Sequence, residues 1–314
     1  MSTVKNYLSL IKFSHTIFAM PFALIGFFLG LSEGVASVVP GWHTVIGYPL
    51  RMSHPLNFVP LTLQETVVKL VLVVLCMVFA RSAAMAFNRY LDRSFDAQNP
   101  RTAIREIPKG IISANSALRF VIINCIAFVV CTWFINKLCF FLSPVALLVV
   151  LGYSYTKRFT ALCHIVLGLG LSLAPIGAYL AVTGQFALLP VLFSFAVVFW
   201  VSGFDIIYAL QDEEFDKSQQ LYSIPAALGK EKALRVSELL HMLSAACVIF
   251  AGVYGGFHWL YTIGVMVFAG MLVYQHSVVK PNDLRRVNLA FMTANGIASV
   301  VFAVFVIADL FVHF

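Results

Sequence analysis

Apolar residues run through this chain in blocks of about 20, each long enough to cross a hydrocarbon core of roughly 30 Å as a helix. Nine such blocks span approximately 8–31, 65–91, 115–135, 139–154, 162–183, 188–208, 237–256, 258–279 and 289–311. Short polar or turn-forming stretches separate them, and no segment is left over for a soluble domain. The pattern predicts an all-α polytopic membrane protein, with residues 1–314 forming a single transmembrane domain. The first block follows Lys5 and Lys12. It is too long for a signal-peptide core and lacks a small-residue cleavage site, so it is expected to stay as a membrane helix.

Composition agrees with this reading. Of the 314 residues 61% are hydrophobic and 11% charged, against roughly 25% charged in soluble domains; the mean hydropathy is +0.91. Basic residues gather in alternate loops, at Arg89–Lys109, Lys157–Arg158, Lys217–Arg235 and Lys280–Arg286, while the other loops hold little beyond Arg51 and Lys137. Lys and Arg accumulate on the cytoplasmic side, which predicts an inside amino terminus and an outside carboxyl terminus. These loops, facing anionic lipid and substrate, account for the net charge of +7 without nucleic acid as a partner. The six cysteines are scattered through apolar runs with no Cys-x-x-Cys pair, and the eight histidines show no ligand spacing. Buried small apolar side chains, rather than a zinc site, are expected of them.

The ionisable residues at the helix ends form two clusters. Asn88, Asp92 and Asp96 are spaced by four and four at the cytoplasmic end of the second helix, on one stripe that drifts by about 40° per step. Asp205, Tyr208, Asp212 and Asp216 end the sixth helix in a similar stripe. Like charges stacked at four-residue intervals repel, so something cationic must compensate. All-oxygen donors without neighbouring His or Cys suit a hard ion such as Mg2+, which binds through one or two carboxylates plus substrate phosphate. Two facing stripes would hold two such ions with a diphosphate between them. Solvated helix ends are the bland alternative, but two matched stripes on one side of the membrane weigh against it.

Basic residues flank the first stripe: Arg89, Arg93, Arg101, Arg105 and Lys109, with Lys157 and Arg158 from the next cytoplasmic loop. Most are expected to be positive-inside markers, and the remainder are candidates to grip a diphosphate. Arg81 lies inside an apolar run two turns before Asn88 on the same face. Its permanent charge requires an anionic ligand, an acid on another helix, or a path back to the cytoplasmic surface. Gly168, Gly170, Pro175, Gly177 and Gly184 read as packing and kink positions, the 29 Phe as mostly lipid-facing, and 32–62 as an outer loop.

These motifs resemble the UbiA superfamily of intramembrane aromatic prenyltransferases over nearly the whole chain. Asn88, Asp92 and Asp96, preceded by Arg81, match its first motif; Asp205, Tyr208, Ala209, Asp212 and Asp216 match its second; and Tyr153, Tyr155, Lys157 and Arg158 are similar to its Tyr/Lys-Arg loop. Departures exist. The hydroxybenzoate branch often has Asp-Asp and a following Gly where this chain has Phe215-Asp216 and Gln220. Asn99-Pro100-Arg101-Thr102, Arg105-Glu106-Ile107-Pro108 and Ser223-Ile224-Pro225-Ala226 are more like the branch linked to menaquinone made through futalosine.

The resemblance implies nine helices around a central cavity in the bacterial inner membrane. It implies transfer of a polyprenyl group from polyprenyl diphosphate to an aromatic acid, either 4-hydroxybenzoate or a dihydroxynaphthoate, in ubiquinone or menaquinone biosynthesis. Mg2+ held by Asp92, Asp96, Asp212 and Asp216 would neutralise the departing diphosphate, assisted by Asn88 and the basic residues. Asp205 is the candidate to help remove the ring proton. Arg81, Arg93, Tyr153, Lys157, Arg158 and Tyr208 are the expected substrate-binding residues. An ion-coupled transporter would place its acids near the midplane, whereas these gather at one face. An alcohol phosphatidyltransferase would carry one compact Asp-Gly…Ala-Arg block, which the sequence lacks.

Overall fold

The computed structural model describes residues 3–12, 18–38 and 61–312. Among them eight helices are long and apolar enough to cross a membrane, and Met20–Ser32 forms a shorter apolar helical stretch. In chain order the helices are α1 Thr3–Leu10, α2 Met20–Val38, α3 Leu63–Leu91, α4 Arg93–Gln98, α5 Ala114–Ile135, α6 Lys137–Thr156 and α7 Cys163–Thr183. There follow α8 Leu188–Ala209, α9 Glu213–Ser218, α10 Ile224–Leu228, α11 Lys230–Gly255, α12 Trp259–Val278 and α13 Asn295–Phe311. A π-helical turn, Leu289–Ala294, leads into α13.

Local chemistry sets the boundaries. Thr62 and Glu65 form a reciprocal capping box at the start of α3, and Ser113, Asn136 and Ser223 each accept a backbone N–H to begin α5, α6 and α10. Gly184 and Gly256 end α7 and α11 in the left-handed conformation that costs glycine nothing. Two expectations change. The run 8–31 is not one helix: α1 stops at Leu10, and Lys12 takes a left-handed φ of 45° that no α-helix tolerates. The apolar run from 237 begins earlier, because Lys230–Val236 is amphiphilic but still helical. The expected outer loop, 32–62, lies mostly outside the described residues.

The core has an aromatic centre. Phe22, Trp200, Phe268 and Phe302 are fully buried, with ring centroids 5.3 to 6.4 Å apart, and draw α2, α8, α12 and α13 together. The lipid-facing expectation for Phe is thus only half right, since the most apolar faces meet one another here. Outward positions such as Phe141, Leu148, Met242, Val253 and Val273 keep the surface apolar. Helix α8 lies between α7 and α11. Its approach to α7 needs Gly168, where a Cβ would come within 2.5 Å of the Val198 carbonyl oxygen. Gly177, by contrast, has open space around it. These contacts bring the ends of α3, α6 and α8 and the start of α7 to one end of the bundle.

Candidate functional site

Both acidic stripes are interrupted. Asp92 is not a mid-helix residue but the joint between α3 and α4, at φ −88° and ψ 7°. Asp212 closes a 3-10 turn, Leu210–Asp212, between α8 and α9. The continuous stripes expected from spacing therefore become two clusters on broken helices. Breaking the helix relieves the repulsion of stacked carboxylates and turns each toward cations from other segments.

The clusters share those cations. Lys157 Nζ lies 2.8 Å from Asp92 Oδ2, Arg158 Nη2 lies 3.1 Å from Asp92 Oδ1, and Asn88 Nδ2 donates to Asp92 Oδ2 at 3.2 Å. Arg105 Nη1 pairs with Asp96 at 2.6 Å, while the other Asp96 oxygen, Oδ2, is buried without a partner. In the second cluster Asp212 forms a two-pronged ion pair with Arg101 and accepts from Asn99 Nδ2 at 3.2 Å. Arg101 also donates to the Tyr208 hydroxyl at 3.0 Å. Burial lowers the Arg101 pKa, but Asp212 and Tyr208 outweigh it and hold the net shift upward. The loop after the first motif thus neutralises the second. Lys157 also acts electrostatically on Asp216, which Ser223 hydrogen-bonds, so the charge of the Tyr/Lys-Arg loop is felt by both clusters.

Arg93 stands apart. It donates to the Tyr90 carbonyl at 2.6 Å, lies over the Tyr90 ring and is exposed, with no hydrogen bond to a motif carboxylate. Gln220 has a left-handed φ of 53°, the conformation that favours glycine and that this side chain adopts at a cost of about 1 kcal/mol. It lets the chain fold back after α9, where Leu221 N–H bonds the Asp216 carbonyl and Tyr222 N–H bonds the Lys157 carbonyl at 2.7 Å.

Deeper in the bundle an apolar cavity of about 380 Å³ is lined by Arg81, Cys76, Phe128, Tyr153, Gly177 and Phe186, among others. Arg81 Nε is buried with no hydrogen-bond partner. A guanidinium so placed requires an anion. Tyr153 shares the cavity wall with Arg81, and its hydroxyl feels the charges of Asp92, Asp205 and Arg81. Asp205 itself pairs with His164 Nδ1 at 2.7 Å.

Among the described residues no group of three or more His, Cys, Asp or Glu is set to hold a metal by itself. Mg2+ bound jointly by one or two carboxylates and a phosphate needs no such cage. The all-oxygen set of Asp92, Asp96, Asp212 and Asp216, with Asp96 Oδ2 unsatisfied, fits an ion of that kind.

Two residues of the site carry little signal in the sequence. His164 has no second histidine at ligand spacing to mark it. Asn99 stands out only as part of a branch pattern, and its bond to Asp212 spans 113 residues.

Comparison with known proteins agrees with the geometry. The chain matches the UbiA prenyltransferase family over residues 20–297. The 4-hydroxybenzoate octaprenyltransferase of Aliivibrio salmonicida is 31% identical over 235 residues, covering 74% of this chain and 81% of that protein. The enzyme of the same name from Tolumonas auensis is 30% identical over 223 residues, covering 71% and 78%. The apo structure of a UbiA homolog from Aeropyrum pernix K1 superposes with a TM-score of 0.71 at 26% identity, covering 94% of this chain and 96% of that one. A UbiA homolog from Archaeoglobus fulgidus bound to DMAPP and Mg2+ shares the fold, with a TM-score of 0.67, 20% identity and coverage of 97% and 99%. The apolar helices, the paired aspartate motifs and these matches together place the chain, a multi-pass membrane protein, in the UbiA prenyltransferase family.

Proposed function

We propose that this prenyltransferase moves a polyprenyl group from polyprenyl diphosphate onto an aromatic acid, with Mg2+ at the two aspartate clusters. The observation that carries the reading is that groups from other segments link the motifs: Arg101 and Asn99, which follow the first motif, bond Asp212 of the second, and Lys157 pairs with Asp92 while acting electrostatically on Asp216. Opposite charges packed this way, together with an apolar cavity that reaches Arg81 and Tyr153, suit a diphosphate head and an isoprenoid tail. The basic loops at this end favour the cytoplasmic side of a bacterial inner membrane, with the amino terminus inside.

Bound metal would neutralise charge on the leaving diphosphate. Asp92, Asp96, Asp212 and Asp216 would hold it, with Asn88 beside Asp92. Lys157, Arg158, Arg101 and Arg105 are the groups that exchange carboxylate partners for phosphate oxygens when the diphosphate arrives. Tyr208 orients Arg101. The apolar cavity keeps water from the allylic cation. Arg81 takes the acceptor's carboxylate deeper than the metals, with Tyr153 beside it.

The acceptor is 4-hydroxybenzoate or a dihydroxynaphthoate, and the product enters ubiquinone or menaquinone biosynthesis. The relatives' names favour the first; Phe215, Gln220 and the Asn99–Thr102 segment favour the second. Purified protein incubated with Mg2+, geranyl diphosphate and each acid, followed by mass detection of product, decides between them. No product with any acid would overturn the reading.

A further inference from the structure

We propose that His164 is a positioning residue for the step that restores aromaticity, holding Asp205 so that one carboxylate oxygen takes the ring proton. This rests on the prenyl-transfer reading above. His164 is 3% exposed and has both ring nitrogens engaged. The Ile224 backbone N–H donates to Nε2 at 3.3 Å, so Nε2 carries a lone pair and the ring proton lies on Nδ1. Nδ1–H then donates to Asp205 Oδ2 at 2.7 Å, which leaves Oδ1 free.

The rest of the fold holds this arrangement. Ser202 Oγ lies 2.6 Å from the Val198 carbonyl and 3.1 Å from the His164 carbonyl, which share its single hydrogen and tie α7 to α8. Gly168, one turn along α7 from His164, admits that close approach. Ile224 is the first residue of α10, whose leading N–H groups have no partner within the helix, and His164 accepts one of them. That same segment folds back from Asp216 and is anchored on the Lys157 carbonyl. The dyad is therefore completed by the loop that follows the second motif.

Asp205 is one-quarter exposed and shares the surroundings of Tyr153 with Arg81 and Asp92. Without a fixed donor its carboxylate would turn toward the neighbouring cations and lose its aim. In the reaction the C–O bond of the prenyl diphosphate breaks with its electron pair leaving on diphosphate. A ring carbon ortho to the acceptor hydroxyl supplies a π pair to the new C–C bond. The proton on that carbon passes to Asp205 Oδ1, the C–H pair restores the aromatic ring, and Asp205 releases the proton to water. His164 neither gives nor takes a proton.

The test uses the purified full chain with Mg2+, geranyl diphosphate and whichever acid the wild type prenylates, unlabelled and deuterated at the ring position attacked. In the wild type, loss of the proton follows a slower ionisation, so deuteration has no effect. His164→Ala should lower kcat about 100-fold, the scale of a misplaced general base, leave the geranyl diphosphate KM within about twofold and bring out a primary isotope effect. His164→Asn, whose amide stands where Nδ1 does, should recover most of the rate and lose the isotope effect. His164→Gln, which reaches further, should not. If the Ala variant does not fold, the Asn and Gln pair carries the test. Wild-type rates in His164→Ala, a slow variant without an isotope effect, or Asn no faster than Gln would overturn the assignment. A wild type that prenylates no acid fails the underlying reading instead.

Discussion

Asp92 and Asp96, in the first cluster, have side chains only 3% and 7% exposed, whereas Asp212 in the second is 19% exposed. Asp92 draws two cations from the α6–α7 loop and a donor from its own helix. Asp212 relies on Arg101 and Asn99, which follow the first cluster in sequence. The first cluster is thus anchored within the bundle, and the second is tied to the loop that follows the first. Near-identical spacing has produced one cluster almost wholly removed from water and another that keeps partial access to it. What separates them is how far each charge lies from water.

The largest effects should not distinguish the clusters. Asp92→Ala and Asp212→Ala are each expected to abolish prenyl transfer, as is excess chelator, because either loss leaves diphosphate charge uncompensated. Turnover assays with and without EDTA check this, and full activity in either variant breaks the two-cluster site. Stability should separate them. Asp92→Asn removes the charge from a carboxylate only 3% exposed that holds Lys157, Arg158 and Asn88 together, and should cost about 1–3 kcal/mol. Asp212→Asn changes a carboxylate that is 19% exposed and has a single cationic partner, Arg101, and should cost at most about 1 kcal/mol. Thermal unfolding in detergent measures both, and equal losses would remove the distinction.

A third effect lies below both clusters. Arg81→Lys keeps the charge but loses the planar grip, and should raise the acceptor KM about tenfold, roughly 1.4 kcal/mol, with the diphosphate KM little changed. Steady-state kinetics in which the diphosphate weakens instead would move Arg81 to the other substrate. The smallest effect belongs to the closing loop. Gln220→Gly relieves a left-handed side chain and should stabilise the protein by up to about 1 kcal/mol without altering kcat. A loss of stability would show that the Gln220 side chain is needed.

Much of the fold and of the site is legible in the residue order. Eight of the nine apolar runs form helices, most with ends within a few residues, because length and apolarity suffice where backbone groups have no water to bond. The first run breaks at Lys12, where turn geometry outweighs hydropathy. The motif aspartates and Arg81 stand out because charge in an apolar chain is conspicuous. His164 does not, since a single imidazole gains its meaning only from Asp205 on the next helix and Ile224 beyond it.

The amino-acid order by itself determined that this is a helical membrane protein with two acidic helix ends and a buried arginine, since transfer free energy and helical period act on local sequence alone. Only the tertiary structure decided that both acidic stripes break and that Arg101 and Lys157 serve across motifs. It likewise decided that Phe22, Trp200, Phe268 and Phe302 turn inward and that an apolar cavity reaches Arg81. Those outcomes depend on contacts between residues far apart in the chain. Their energies exist only once helices pack closely enough for glycines such as Gly168 to matter.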